Sequence, residues 1–285
     1  MPESTMQLGI RWTVGDVSSR GWEALRLSVG CAFRLFGTQT RYAICVNSVP
    51  ISTALEQAGA LPCSIEWHEA TTAGIPDGLH RHLDPMMAEG VGWKLVPPRI
   101  FPERHEIALD NDCILWAIPP AIREFLLSSN KTLLAEDVER CLDRFQNSAA
   151  PGAINSGIRG LPPGFPFVQE LAATLSEREK IDGAPVLLRS ELDEQGLQAA
   201  ALHRSSRCLL VRKEEVSICS PFWPRQQEPG TCGAHFVGLN AKHIPWNYYG
   251  EPGDTVRRRH WDAHRPALYA TAGLELTPPL PLCVA

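Results

Sequence analysis

Apolar residues in the first part of the chain recur with the periods of alternating strands and helices. Segment 8–14 has an apolar side chain at every second position, which predicts a strand. Between 22 and 36 the apolar side chains recur every three or four residues, which predicts a helix that Gly37 ends. The continuous apolar run 42–46 is typical of a strand that is covered on both faces.

Two shorter patterns continue this alternation. Residues 52–59 favour a short helix, and residues 63–67 favour a third strand. An order of strand, helix, strand, helix and strand implies a mostly parallel sheet with helices on both faces, so the predicted fold class is α/β of the Rossmann type. In such sheets ligands bind at the carboxyl ends of the strands.

The rest of the chain predicts further helices and several loops. Apolar residues on one face predict a helix over 134–145, a second over 167–179 and a third through 197–202. Segments rich in glycine and proline are expected to be loops or extended chain, and they are 74–92, the region after Ser220, and 278–282.

Composition narrows the class of protein. The 285-residue chain carries a net charge of -5, which disfavours nucleic acid as a partner because a phosphate backbone binds a basic face. Its nine cysteines are odd in number and lack a Cys-x-x-Cys spacing, which suits a reducing compartment. The sequence shows neither a signal peptide nor an apolar run long enough to span a membrane. We therefore expect a cytoplasmic protein.

Asp110 and Asp112 stand one residue apart between the apolar runs 106–109 and 113–116. Two carboxylates at the exit of a buried strand repel one another and lose hydration. A divalent cation is the usual compensation, and a cation held by two carboxylates often holds a phosphate as well. Asp-Asn-Asp is also a good turn sequence, because its side chains bond to the local backbone. The tripeptide alone leaves both interpretations open.

Other segments around this tripeptide carry a resemblance to a known family. They are Gly92-Trp93-Lys94-Leu95-Val96-Pro97-Pro98-Arg99, Asn155-Ser156-Gly157, Glu194-Gln195-Gly196-Leu197, and His235-Phe236-Val237-Gly238 with Lys242 and Trp246 beyond it. In this order they resemble the GT-A nucleotide-sugar glycosyltransferases, particularly the retaining group that includes glycogenin and the bacterial lipopolysaccharide galactosyltransferases. The resemblance covers residues 8–246 as an ordered set of motifs.

The resemblance implies a GT-A fold in a single domain over residues 1–285. A nucleotide-binding half would span 1–116, a sugar and acceptor half 117–250, and a C-terminal extension 251–285. The implied donor is a nucleoside diphosphate sugar, with UDP expected by analogy, and the acceptor is a carbohydrate or another hydroxyl compound. Flat rings pack well on sugars, so the acceptor is expected near Phe222, Trp223 and Trp246.

The resemblance also assigns roles to individual residues. Asp110, Asp112 and His235 would hold Mn²⁺ or Mg²⁺, although His235 could instead be a hydrogen-bonded loop histidine. Donor-binding residues would be Thr13 and Asp16 near the base and ribose, Lys94, Arg99 and Lys242 near the diphosphate, and Asn111, Asn155, Ser156, Gly157 and Gly238.

Glu194 and Gln195 match the segment that lies beneath the reacting carbon of the sugar in the family. Gln195 is a poor nucleophile, so stabilisation of a cation-like carbon is favoured over covalent catalysis. Two departures weaken the match, because Glu194 replaces the usual Asp and Lys242 stands one residue later than in the family pattern. Retention of configuration is an expectation from the family alone.

A metal held by these side chains would bind the diphosphate and stabilise the charge on the leaving oxygen. A nucleotide-sugar-binding protein without transferase activity is the main alternative function. A haloacid-dehalogenase-like phosphatase is a remote one, because its Asp-x-Asp motif normally follows the first strand.

Two pairs of histidines lie outside these motifs. His80 and His82 are expected in an exposed loop. His260 and His264 have the i, i+4 spacing of a metal chelate, yet Arg257–Arg259 beside them favour a basic helix face.

Overall fold

The computed structural model describes residues 7–62, 64–71, 74–83, 93–149, 152–205, 207–223 and 228–276. The strands are β1 (Leu8–Val14), β2 (Arg41–Val46), β3 (Glu66–Glu69), β4 (His105–Asp110), β5 (Cys113–Leu115), β6 (Lys131–Glu136), β7 (Ile154–Leu161), β8 (Arg207–Val211), β9 (Val216–Ile218), β10 (Gly233–His235), β11 (Asn247–Tyr248) and β12 (Glu251–Pro252). The helices are α1 (Ser19–Phe36), α2 (Ile51–Ala58), α3 (Asp77–His80), α4 (Pro120–Leu126), α5 (Phe167–Asp182), α6 (Glu191–Ser205) and α7 (Gly253–Ala272), with short 3-10 helices at Trp93–Leu95 and Asp143–Phe145.

The predicted α/β class is confirmed by a seven-stranded sheet in the order β3-β2-β1-β4-β7-β6-β8. Within this sheet β7 runs antiparallel to both of its neighbours, and the other pairings are parallel. The first residues of β7 therefore lie beside the carboxyl ends of the parallel strands. Since strands from both sides of residue 116 share the sheet, a single hydrogen-bonded layer crosses the predicted boundary between the two halves.

Strand β1 and helix α1 form where the periodicity predicts them. Every residue of β1 except Thr13 is buried, as expected for a central strand between two helical layers. The Ser18 hydroxyl accepts a hydrogen bond from the Gly21 N–H at 3.1 Å and so caps α1. Gly37 ends the helix at a φ of 71°, a conformation that favours glycine.

A second, three-stranded sheet has the order β5-β10-β9 and stands beside the end of β4. Strand β5 pairs antiparallel with β10, which places His235 opposite Cys113. Helix α7 covers this region, with Trp261, Leu268 and Tyr269 buried in one apolar cluster with Phe236 of the adjoining loop. No helix in the described part of the chain is long and apolar enough to cross a membrane.

The helix predicted over 134–145 is wrong. Its first residues belong to β6, and only Asp143–Phe145 form a short 3-10 turn. β6 lies between β7 and β8, and Leu133, Leu134 and Ala135 are buried there. Pairing of its first residues with two neighbouring strands therefore overrode the helical pattern.

Other predictions are confirmed, shifted or untested. Helices α5 and α6 contain the predicted segments 167–179 and 197–202, whereas β3 begins three residues after the predicted 63. The predicted loop 74–92 holds the short helix α3, and part of it lies outside the described residues, as does 278–282. His82 is buried rather than exposed, with Nδ1 2.9 Å from the Val186 carbonyl oxygen.

Candidate metal centre

Three elements bring Asp110, Asp112 and His235 together. Asp110 ends β4, and a tight turn carries the chain to Asp112 and into β5. Because β10 pairs with β5, its last residue His235 lies alongside the turn. His235 Nε2 is 3.5 Å from Asp110 Oδ2 and 3.2 Å from Asp112 Oδ1. One ligand atom from each residue lies within 4.8 Å of the other two, close enough for a single ion.

The charges at this centre are strongly coupled. The Lys94 ammonium lies 2.8 Å from both carboxylate oxygens of Asp110. Desolvation lowers the pKa of Lys94, but the negative charges of Asp110 and Glu194 more than offset it, and the net pKa is raised. Burial likewise opposes protonation of His235, while Asp112 and Asp110 raise its pKa above the ordinary value. Local cations therefore partly balance the two carboxylates.

Asp112 shows that this balance is incomplete. Its Oδ1 atom is buried and has one neighbouring donor group among the described residues, His235 Nε2 at 3.2 Å. A buried carboxylate oxygen with so few partners is costly unless a cation or another donor completes it. Two carboxylates and an imidazole are a donor set that suits Mn²⁺ or Mg²⁺ better than a softer ion. The residues present therefore fit a divalent metal.

The side chain of Asn111 points into the protein instead of accompanying its two neighbours. Its Nδ2 donates to Asn240 Oδ1 at 2.6 Å and to the Gly21 carbonyl at 3.2 Å. Asn240 Nδ2 donates in return to Asn111 Oδ1 at 3.0 Å and to Asp112 Oδ2 at 3.3 Å. Asn240, which the sequence analysis did not single out, thus holds the turn and orients Asp112.

Gly157 allows the His235 ring to approach β7. A Cβ atom on Gly157 would lie 2.6 Å from both His235 Nδ1 and its neighbouring ring carbon. Asn155 Oδ1 accepts the Gly157 N–H at 2.6 Å, and Asn155 Nδ2 donates to Asp137 at 3.2 Å. The predicted Asn155-Ser156-Gly157 segment therefore lies against the metal centre, because Gly157 has no side chain that would collide with the His235 ring.

Helix α6 supplies the predicted residues Glu194 and Gln195. Gln195 Oε1 accepts the Ser156 N–H at 3.1 Å, and its Nε2 donates to the Cys141 carbonyl at 3.1 Å. Both ends of that amide therefore brace β7 against the loop that follows β6. Glu194 is buried, and one of its oxygens has no hydrogen-bond partner among the described residues.

The ionisation of Glu194 is shifted by its surroundings. The pKa of Glu194 is raised to about 7, mainly by burial and also by the charge of Asp110, while Lys94 and Arg159 act in the opposite direction. A carboxyl group that titrates near neutral pH beside a metal centre is a recurrent feature of active sites.

A small polar pocket opens next to Asp110, between β1, β4 and β7. Its lining residues are Arg11, Thr13, Lys94, Ala108, Leu109, Asp110, Ser156, Arg159 and Gln198. Thr13 pairs with Asp110 across the two parallel strands. Arg11 and Arg159, which no sequence motif marks, are buried and contribute two cationic side chains to this lining. Burial lowers the pKa of Arg159 to about 10, with Arg11 acting in the same direction.

Some predicted donor-binding residues are engaged elsewhere. The Arg99 guanidinium donates to the carbonyls of Pro162, Phe165, Phe101 and Arg104, so it holds loops together instead of accompanying Lys94 beside Asp110. Lys242 forms an exposed ion pair with Asp16. Gly238 adopts a φ of 92°, which favours glycine, and its carbonyl accepts a 2.6 Å bond from Arg257.

No protein-family model and no curated protein matches the sequence. Solved structures do match the fold. The galactosyltransferase LgtC in complex with donor and acceptor sugar analogues has a TM-score of 0.53 at 14% identity, and the match covers 95% of this chain and 98% of that chain. Mouse xyloside xylosyltransferase 1 in its apo form has a TM-score of 0.50 at 13% identity, covering 82% and 98%.

A third match extends the same result to a longer protein. The WbbM bifunctional glycosyltransferase in its apo form has a TM-score of 0.51 at 13% identity, covering 95% of this chain and 52% of that chain. At such low identity these structures establish the fold, and they agree with the GT-A resemblance predicted from the motifs.

Proposed function

We propose that this chain is a metal-dependent glycosyltransferase that moves a hexose from a nucleoside diphosphate sugar to a hydroxyl acceptor. The observation that carries the proposal is the centre of Asp110, Asp112 and His235, in which one ligand atom from each residue lies within 4.8 Å of the other two and Asp112 is buried. The fold shared with solved glycosyltransferases supports the same reaction class. UDP is the favoured nucleotide because the family that the motifs of this chain resemble uses UDP-sugars.

Asp110, Asp112 and His235 would hold Mn²⁺ or Mg²⁺, which supplies a positive charge for the diphosphate as the sugar departs. Lys94 keeps a positive charge at the same place, since its ammonium is paired with Asp110 and its pKa is raised. Thr13 pairs with Asp110 near the carboxyl ends of β1 and β4, where the nucleoside is expected.

Glu194 and Gln195 are proposed to act on the sugar side of the centre. Gln195 is fixed by two hydrogen bonds to backbone groups, so its role is to position β7 and the reacting face of the sugar. Glu194 has an oxygen without a partner among the described residues, and in its ionised form it can stabilise positive charge at the anomeric carbon. This arrangement supports transfer with retention of configuration.

The test combines binding and turnover. We expect UDP to bind only with Mn²⁺ or Mg²⁺, and a panel of UDP-sugars to show metal-dependent transfer or slow hydrolysis. Asp110→Asn with Asp112→Asn should abolish metal-dependent UDP binding, whereas Glu56→Gln, which changes an exposed carboxylate on α2, should leave it intact. A folded double variant that binds UDP normally would refute the metal centre.

The same assays separate an enzyme from a binding protein. Metal-dependent UDP binding without transfer or hydrolysis for any UDP-sugar would refute the transferase and support a non-catalytic nucleotide-sugar-binding function. The anomeric configuration of the first product, followed by NMR, tests retention.

A further inference from the structure

A second cluster of metal-ligating side chains lies on the other side of β10. Cys219 follows β9, while His260 and His264 stand one turn apart on α7. One ligand atom from each lies within 4.8 Å of the other two. Cys219 Sγ is 3.8 Å from His260 Nε2, and the two imidazole centroids are 4.7 Å apart.

We propose that Cys219, His260 and His264 form a zinc site that ties α7 to the strand pair carrying His235. In tetrahedral zinc coordination a sulfur and a nitrogen ligand lie about 3.6 Å apart, as follows from bond lengths of roughly 2.3 Å and 2.05 Å. The sulfur–nitrogen separation of 3.8 Å already matches this distance. Thiolate and imidazole together select zinc over the harder cations that suit carboxylates.

The proposed zinc site lies next to the carboxylate centre, but the two sites have no residue in common. The Cys219 N–H donates to the His235 carbonyl at 2.8 Å, and His235 pairs with Ile218 across β9 and β10. The Phe236 ring lies 6.4 Å from the His260 ring and 5.8 Å from the His264 ring, and Phe236 directly follows His235 in the sequence. Zinc here would fix the backbone from which His235 projects.

Access and stoichiometry also fit. His260 and His264 are partly exposed while Cys219 is buried, so an ion can enter from the surface of α7 and reach the thiol beneath. Three protein ligands leave a fourth position that water can take. Binding requires the thiol to lose its proton, which the ion itself promotes.

Cobalt spectroscopy on the unaltered chain gives the first test, because the carboxylate centre contains no sulfur. We expect Co²⁺ to produce a thiolate-to-metal charge-transfer band that zinc displaces. The band should be lost in Cys219→Ser and retained in Cys232→Ser, a partly buried cysteine outside the cluster. Absence of the band from the unaltered chain, or its survival in Cys219→Ser, would overturn the proposal.

Zinc content gives the second test and does not depend on the cysteine variant folding. In the Asp110→Asn and Asp112→Asn background we expect about one bound zinc per chain after dialysis, measured by elemental analysis. His264→Ala in that background should lose this zinc, and the exposed His203→Ala should keep it. Zinc should also raise the melting temperature of the background but not of the His264→Ala variant.

A background protein that binds no zinc, or that keeps it after His264→Ala, would refute the site. Because these readouts do not involve UDP or turnover, the zinc site can fail while the proposed transferase stands, and the reverse is equally possible.

Discussion

The two ligand clusters sit on opposite sides of one strand and differ in the ions they can hold. Asp110, Asp112 and His235 offer mainly hard oxygen donors, and Lys94 adds a competing positive charge beside them. Cys219 with its two helical histidines offers a soft sulfur and two nitrogens. The first set suits an ion that must also bind phosphate oxygens, whereas the second suits an ion held for structure.

The clusters also differ in how the chain builds them. The carboxylate centre combines the end of a central strand, a tight turn and a paired strand, all within the sheet layers. The sulfur cluster depends on α7 packing against β10 and the residue that follows β9. A difference in origin implies that one cluster can be removed without the other, and the following variants test that independence.

The largest effect is expected from His235→Ala. Loss of a residue that only supports a metal ligand costs about 10- to 100-fold in metal affinity. Removing a protein ligand itself should therefore weaken Mn²⁺-dependent UDP binding by at least on the order of 100-fold. Zinc at the second cluster should persist, because Cys219 contacts the His235 backbone carbonyl, which the variant retains. Isothermal titration with UDP and zinc content measure the two outcomes, and loss of both ions together would contradict their independence.

Glu194→Gln tests the electrostatics of the carboxylate side. Since the folded-state pKa of Glu194 is raised to about 7, folding binds a proton here, and this contribution to stability is lost as pH rises from about 4.5 through 7. We expect the substitution to remove ~2 kcal/mol of the stability difference between pH 5 and pH 8.

The measurement is denaturant unfolding of both proteins at the two pH values with EDTA present. Glu177→Gln, at a more exposed carboxylate on α5, should leave the pH dependence unchanged. An identical pH dependence in wild type and Glu194→Gln would show that Glu194 does not titrate in this range.

Gly157→Ala should perturb the carboxylate centre by a smaller amount. The added methyl group collides with the His235 ring, so we expect a loss of about 1–3 kcal/mol in stability and roughly a tenfold loss in Mn²⁺ affinity. Gly78→Ala is the matched control, because its Cβ would meet Ala172 at 3.9 Å. Melting curves with and without Mn²⁺ report both effects, and a Gly157 variant indistinguishable from Gly78→Ala would argue against tight packing on His235.

The smallest effect is expected from Lys242→Ala. Its ion pair with Asp16 is exposed, so removing it should change the free energy of unfolding by less than about 1 kcal/mol. UDP affinity should change by less than about tenfold, with Lys180→Ala on α5 as the surface control. A larger loss of UDP affinity would show that Lys242 leaves Asp16 to bind the diphosphate.

Much of the fold could be predicted because its signals are local. The alternation in β1 and the three- to four-residue period of α1 reflect burial of one or both faces, and the structure confirms both elements. The failure at 134–145 has the same origin. Leu134 and the apolar residues after it match a helical period, but the first residues of this segment, up to Glu136, belong to a strand that β7 and β8 flank on both sides.

The site could be predicted in part. The motif order brought Asp110, Asp112 and His235 into one hypothesis, and the structure places their ligand atoms together. Arg11 was missed although it interrupts an apolar strand, because a charge at an alternate position reads as solvent-facing when the second helical layer is unknown.

The sequence by itself determined the α/β class, the positions of β1 and α1, and the acidic turn at residues 110–112, because each depends on residues that are close together in the sequence. The tertiary structure alone decided that Cys219 joins His260 and His264. His260 and His264 show their chelating spacing in the sequence, but Cys219 precedes His260 by 41 residues and reaches it only where α7 packs on the segment after β9. Such a contact depends on the packing of whole layers, which no local pattern encodes.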